Sequence, residues 1–158
     1  MHKSRWLSAQ HRIEWFPPFF MMRVKVLQLD VDWQQVRLKL PLNLFSRNLG
    51  DAVFGGYQAS LADPIAALAC LARFPQYSAW TRAMSLDFEL EGNSDLELRF
   101  HFDPAVDARI RRDLETRGRS TPVFEYGFYR DDGRLCTRVE NTVAIRPHGY
   151  SKESRLKR

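Results

Sequence analysis

Between Ala52 and Ala72 the chain carries one charged side chain, Asp63, in a stretch otherwise built from small, apolar or neutral residues. A helix over this stretch is apolar on all its faces, so the fold must wrap around it. Gly55-Gly56 opens the segment and Arg73-Phe74-Pro75 closes it, which predicts a helix over 55–73. Asp63 lies eight residues beyond Gly55 and is expected to be buried with its neighbours. Burying a carboxylate is costly unless it is hydrogen-bonded or has chemical work to do, which makes Asp63 the first candidate functional residue.

The flanking sequence supplies strands to do the wrapping. Val24 to Val31 alternates but slips at Val26-Leu27, which predicts a bulge. Val36 to Leu40 alternates cleanly up to Pro41, and the two segments form an expected hairpin about Asp32-Trp33. Met84–Leu90 and Leu96–Phe102 keep strict period two, with Gly92-Asn93-Ser94 as a turn between them. Pro122–Arg130 and Leu135–Ile145 are the last strands, joined by Asp131-Asp132-Gly133. A second helix begins at Asp103-Pro104, carries the narrow stripe Val106, Ile110 and Leu114, and stops at Gly118. Residues 13–22 read as a short helix and turn broken by Pro17-Pro18, whose Trp15, Phe16, Phe19 and Phe20 are expected to cover the open end of the core.

The expected class is therefore α+β, in the order ββ–α–ββ–α–ββ. One-sided strands and one all-apolar helix are satisfied together by a curved antiparallel sheet of about six strands wrapped around the central helix, with the second helix on the surface. At 158 residues this is a single domain over 13–147, flanked by basic tails over 1–12 and 148–158. The tails carry the surplus charge of +5, since residues 13–147 hold 17 basic and 18 acidic side chains. That distribution argues against a nucleic-acid groove. Cys70 and Cys136 are far apart and lack metal or redox spacing, so free thiols and a reducing, cytoplasmic setting are expected. No secretory leader, stable membrane insertion, metal site or phosphate loop is expected from the sequence.

With Asn48, the Gly55-Gly56 pair and Leu61-Ala62-Asp63 at their spacing, this arrangement resembles the hotdog-fold thioesterases. The likeness is to the small acyl-CoA thioesterases of the phenylacetate-degradation type and their uncharacterised relatives, over roughly residues 20–146. It implies an acyl-thioester substrate, coenzyme A entering only as part of that substrate, and no further cofactor. The Gly55 N–H would polarise the thioester carbonyl, Asp63 would act as general base or nucleophile, and Asn48 would orient the carbonyl or the water. Thr81 stands where a residue of the neighbouring subunit often assists. Gly56, Phe54 and Trp80 would contact the substrate, with Phe88 beside the acyl chain. Arg47, Arg73 and Arg82 are the flanking cations available to coenzyme A phosphates. A homodimer sharing its sites, or a dimer of dimers, is implied as well.

Two features leave alternatives open. Phe54 stands where many of those relatives carry histidine, which points to a non-catalytic acyl-ligand-binding or interaction module. Asp63-Pro64 also reads as an N-cap and first-turn proline, like Asp103-Pro104, with the helix starting at Pro64.

Overall fold

The computed structural model describes residues 8–150. In chain order the elements are α1 (Ala9–Glu14), α2 (Pro17–Met21), β1 (Lys25–Leu29), β2 (Gln35–Leu40), α3 (Gly55–Arg73), β3 (Tyr77–Phe88), β4 (Leu96–His101), α4 (Pro104–Arg117), β5 (Val123–Tyr129) and β6 (Leu135–Pro147). The six strands make one antiparallel, curved sheet in the order β1-β2-β4-β5-β6-β3, with α3 as its spine.

Alternation along the strands decides which side chains reach α3. Val36, Leu38 and Leu40 on β2 and Leu96, Leu98 and Phe100 on β4 are buried, as are Val139, Val143 and Ile145 on β6. They close on Leu61, Ala62, Ile65, Ala66, Ala69 and Cys70 of α3. The bulge expected at Val26-Leu27 is present, between Val26 and Gln28. α4 is capped by Asp103 Oδ1, which accepts from Ala105 N at 2.7 Å, and ends on Gly118 at φ 64°. Its Ile110 and Leu114 are buried.

Three local expectations are revised. β3 starts at Tyr77 rather than Met84, because its first half is defined by pairing with the end of β6 (Tyr77 opposite Pro147, Thr81 opposite Val143) and not by alternation. Gly92-Asn93-Ser94 connects β3 to β4 but the two do not pair; β3 lies at the far edge beside β6. Of the four aromatics expected to cover the core, only Phe19 is buried, at 2% exposure, while Trp15, Phe16 and Phe20 face outward.

Most of both expected basic tails, 1–7 and 151–158, lies outside the described residues, and residues 9–14 form α1. Among the described residues no helix is long and apolar enough to cross a membrane.

Candidate functional site

The loop before α3 is built to deliver the glycine pair in a fixed pose. Asn48 Oδ1 accepts from Gly50 N (2.8 Å) and Ala52 N (3.2 Å), and Asn48 N donates to Ala52 O (2.8 Å), closing a tight turn. Val53 N then donates to Gly92 O at 2.9 Å and Phe54 N to Ser46 O at 2.7 Å. The chain enters α3 pinned from two sides.

At the helix start, Phe54 occupies the N-cap position without any side-chain cap. Among the described residues the N–H groups of Gly55 and Gly56 have no hydrogen-bond partner. They lie at the positive end of a 19-residue helix. Two half-exposed rings flank them. A Cβ on Gly55 would meet Phe88 Cζ at 2.9 Å, and one on Gly56 would meet Phe54 Cε1 at 2.4 Å. Without a Cβ, the glycine pair lets both rings close over the helix start; a side chain here would push a ring aside. Free donors between apolar walls can hold a developing oxyanion.

Asp63 does not cap a helix. α3 runs unbroken through Pro64, so the alternative start at Pro64 is overturned. Nor is Asp63 buried: it is exposed, as is Ser60 one turn before it, while Gln58, Leu61, Ala62, Ile65, Ala66, Ala67, Ala69 and Cys70 are buried. Apolar composition all round the helix exceeds what its own chain covers.

The sheet grips the helix backbone at this turn. Thr81 Oγ1 donates to Asp63 O at 2.7 Å, Asn141 Nδ2 donates to the same carbonyl at 3.1 Å, and Tyr126 Oη donates to Ala62 O at 2.7 Å. Asn141 Nδ2 also donates to Tyr126 Oη at 2.9 Å. One turn earlier, buried Gln58 donates to Val53 O at 3.2 Å and accepts from Thr137 Oγ1 at 2.6 Å. Pro64 removes one helical N–H, and the side-chain bonds on the carbonyls of residues 62 and 63 hold the backbone beside it. The cost of desolvation pushes the Tyr126 hydroxyl's pKa upward, keeping it a neutral donor, and pushes the Cys70 thiol up to about 12, so that it stays inert.

Gly55 and Asp63 are eight residues apart on one helix, about 12 Å along its axis. A single reacting carbonyl cannot touch both from the same chain.

The remaining candidates separate into three places. Phe54 and Arg47 line an open concavity with Leu44, Asn48, Leu49 and Gly50, where Arg47 pairs with Asp51 at 3.2 Å. Arg73 is committed to structure: it pairs with Asp107 at 3.1 Å, bonds Asp32 O at 2.9 Å and lies 4.6 Å from the Phe102 ring centre. Trp80 stacks on Tyr150, with centroids 6.1 Å apart. Its neighbour Thr81 turns toward α3, so strand alternation puts Trp80 on the outer face of the sheet. Arg82 joins Arg117, Arg119 and Arg146 around a further pocket. Those three arginines come from other segments of the chain, and no local sequence pattern marks them. Among the described residues no group of three or more His, Cys, Asp or Glu side chains could hold a metal ion.

The family model described as a domain of unknown function (DUF4442) matches residues 4–145. No curated protein matches the chain. The fold is the hotdog fold, shared with solved structures at low sequence identity. PA5026 of Pseudomonas aeruginosa, a protein of unknown function, has 17% identity and a TM-score of 0.78 over 89% of this chain and 94% of its own. Thioesterase HI1161 of Haemophilus influenzae has 9% identity and a TM-score of 0.69 over 92% and 95%. The PaaI protein from the phenylacetic acid degradation operon of E. coli has 16% identity and a TM-score of 0.58 over 78% and 79%.

Proposed function

We propose, from the premise that the chain belongs to the DUF4442 family, that it is an acyl-thioester hydrolase whose active site is assembled from two copies. One copy supplies the Gly55 and Gly56 N–H groups to the thioester oxygen. The other supplies the Asp63 carboxylate to activate water, or to attack the carbonyl directly. The acyl chain lies between Phe54 and Phe88.

The observation that carries this is the pair of unpartnered N–H groups at an uncapped helix start, with the only acid of the helix about two turns away on a face its own chain leaves open. A donor aimed at a developing oxyanion is worth about 2.7–4 kcal/mol in the transition state. A second copy with its α3 antiparallel brings one chain's glycines to the other's aspartate. β3 favours such a partner: it is the last strand of the sheet, 12 residues long, and its outer edge is unpaired among the described residues. Thioesterase HI1161 and PaaI share the fold, which is compatible with this chemistry. Asn48 shapes the loop, its carboxamide oxygen being spent on Gly50 and Ala52.

One observation favours a second possibility, an acyl-binding module without turnover: the Phe54 ring lies against Gly56 and offers no polar group to a substrate. Free-thiol release from a panel of acyl-coenzyme A esters decides between them. Hydrolysis of at least one ester by a dimeric protein is expected. Thermal stabilisation by an ester that is never hydrolysed would instead assign the binding module.

A further inference from the structure

We infer that the pocket on the outer face of the sheet beside β3 binds a phosphate group of the thioester's carrier, an inference that rests on the acyl-thioester function proposed above. Arg82, Arg117, Arg119 and Arg146 line a concavity of about 420 Å3 together with Asp113, Ser120 and Thr121. Four guanidinium groups and one carboxylate leave the walls at +3. The carboxylate is already engaged: Asp113 pairs with Arg117 at 2.5 Å and accepts from Ser120 Oγ at 2.8 Å. Among the described residues Arg82 and Arg119 make no ion pair. Cations gathered in one concavity repel one another unless an anion joins them, and a phosphate offers the oxygens that guanidinium groups bind in pairs. The C-terminal end of α4 also points here and offsets part of the charge.

The pocket is held in shape rather than formed by loose side chains. Arg146 Nη1 donates to Ser120 O (2.6 Å) and Ile145 O (2.8 Å), and Nη2 donates to Thr121 Oγ1 (3.0 Å). Three of its five donors are thereby fixed and two remain for a ligand. A bridge between Ser120 and Ile145 clamps the α4–β5 loop to β6. On β3, the register shifts between Thr81 and Ala83, so Arg82 is the extra residue of a bulge, a device that re-aims a side chain. Its neighbour Thr81 is the residue that bonds the Asp63 carbonyl. The phosphate pocket and the proposed reacting centre are therefore joined through two consecutive residues of one strand.

A flat aromatic surface adjoins the arginines. The Arg146 guanidinium lies 5.8 Å from the Tyr150 ring centre, and Tyr150 stacks on Trp80. Arginines beside stacked rings suit a phosphorylated carrier that also bears a base, the chemistry of the 3′-phosphoadenosine end of coenzyme A.

The test compares an acyl-coenzyme A, its dephospho form lacking the 3′-phosphate, and the matching acyl-pantetheine, on wild type and on the Arg82→Gln/Arg119→Gln double variant. Both side chains are exposed, so unchanged thermal melting confirms folding. The kcat/KM preference for acyl-coenzyme A over acyl-pantetheine is expected to fall about tenfold or more in the variant, through KM. Loss of preference already in the dephospho substrate assigns the pocket to the 3′-phosphate; loss only in acyl-pantetheine assigns it to the diphosphate. Hydrolysis with the preference unaltered in the variant overturns the pocket and leaves the activity standing. Calorimetric binding of free coenzyme A that depends on the arginines, without turnover of any ester, keeps the pocket and overturns the hydrolase.

Discussion

Thr81 Oγ1 donates a 2.7 Å hydrogen bond to the main-chain carbonyl of Asp63, tying the edge strand β3 to the helix turn that carries the carboxylate. The same carbonyl accepts from Asn141, and the preceding one from Tyr126, so side chains of three strands fix the backbone beside Pro64. Thr81→Val removes the hydroxyl and keeps the shape. It is expected to cost about 1 kcal/mol in urea unfolding and to lower kcat, whereas Thr81→Ser retains both. Equal kcat in all three proteins would separate Thr81 from the site.

Tyr126→Phe deletes one oxygen that serves two partners, Ala62 O and Asn141 Nδ2. The ring remains packed edge-on to Phe100, at 5.4 Å between centroids. The expected loss is roughly 1–3 kcal/mol, the cost of leaving buried polar groups unpaired, with no change in helix content by circular dichroism. Stability equal to wild type would mean that water replaces the hydroxyl.

Gly127 is the glycine the sheet tolerates least well losing. A Cβ there would meet the main-chain oxygen of Thr137 and Leu135 Cδ1, each at 2.6 Å. Gly127→Ala is expected to destabilise by roughly 1–3 kcal/mol through overpacking. Gly56→Ala meets only the exposed Phe54 ring, which can swing away, and is expected to fold with near wild-type melting.

The Arg73–Asp107–Arg111 cluster gives acid stability a defined sign. Partial burial opposes the Asp107 charge, but hydrogen bonds from Arg111 and Arg73 outweigh it and hold this carboxyl below its ordinary 3.8. Its contribution is therefore complete above about pH 4 and is lost as pH falls through that range. Asp107→Asn is expected to melt lower than wild type at pH 7, by up to about 1 kcal/mol after screening. The gap should narrow steadily as pH falls below 3.8. A gap that stays constant from pH 7 downward through 3.8 and below would show the loss to be one of packing.

Much of the architecture was legible where local pattern and tertiary role coincide. The glycine pair and Arg73-Phe74-Pro75 bracket α3 correctly, and broken alternation at Val26-Leu27 marks a real bulge. Sequence and structure differ where pairing or coverage is non-local. The first half of β3 owes its conformation to β6, which no property of residues 77–83 announces. The apolar neighbours of Asp63 predict it inside, yet apolarity reports what a helix can bury and not what one copy of the chain covers. Arg82 of β3, Arg117 and Arg119 at the end of α4, and Arg146 of β6 come from three segments that only the folded sheet brings together.

The most direct measurement is kcat for the best acyl-coenzyme A substrate in wild type and Asp63→Asn, with melting temperature and dimer content checked on both. Asp63 is exposed, so the amide is expected to fold and to bind the ester while kcat falls about 10²–10⁴-fold, the range for a positioned acid–base group. An Asp63→Asn protein that hydrolyses the ester as fast as wild type would contradict the role given to this carboxylate.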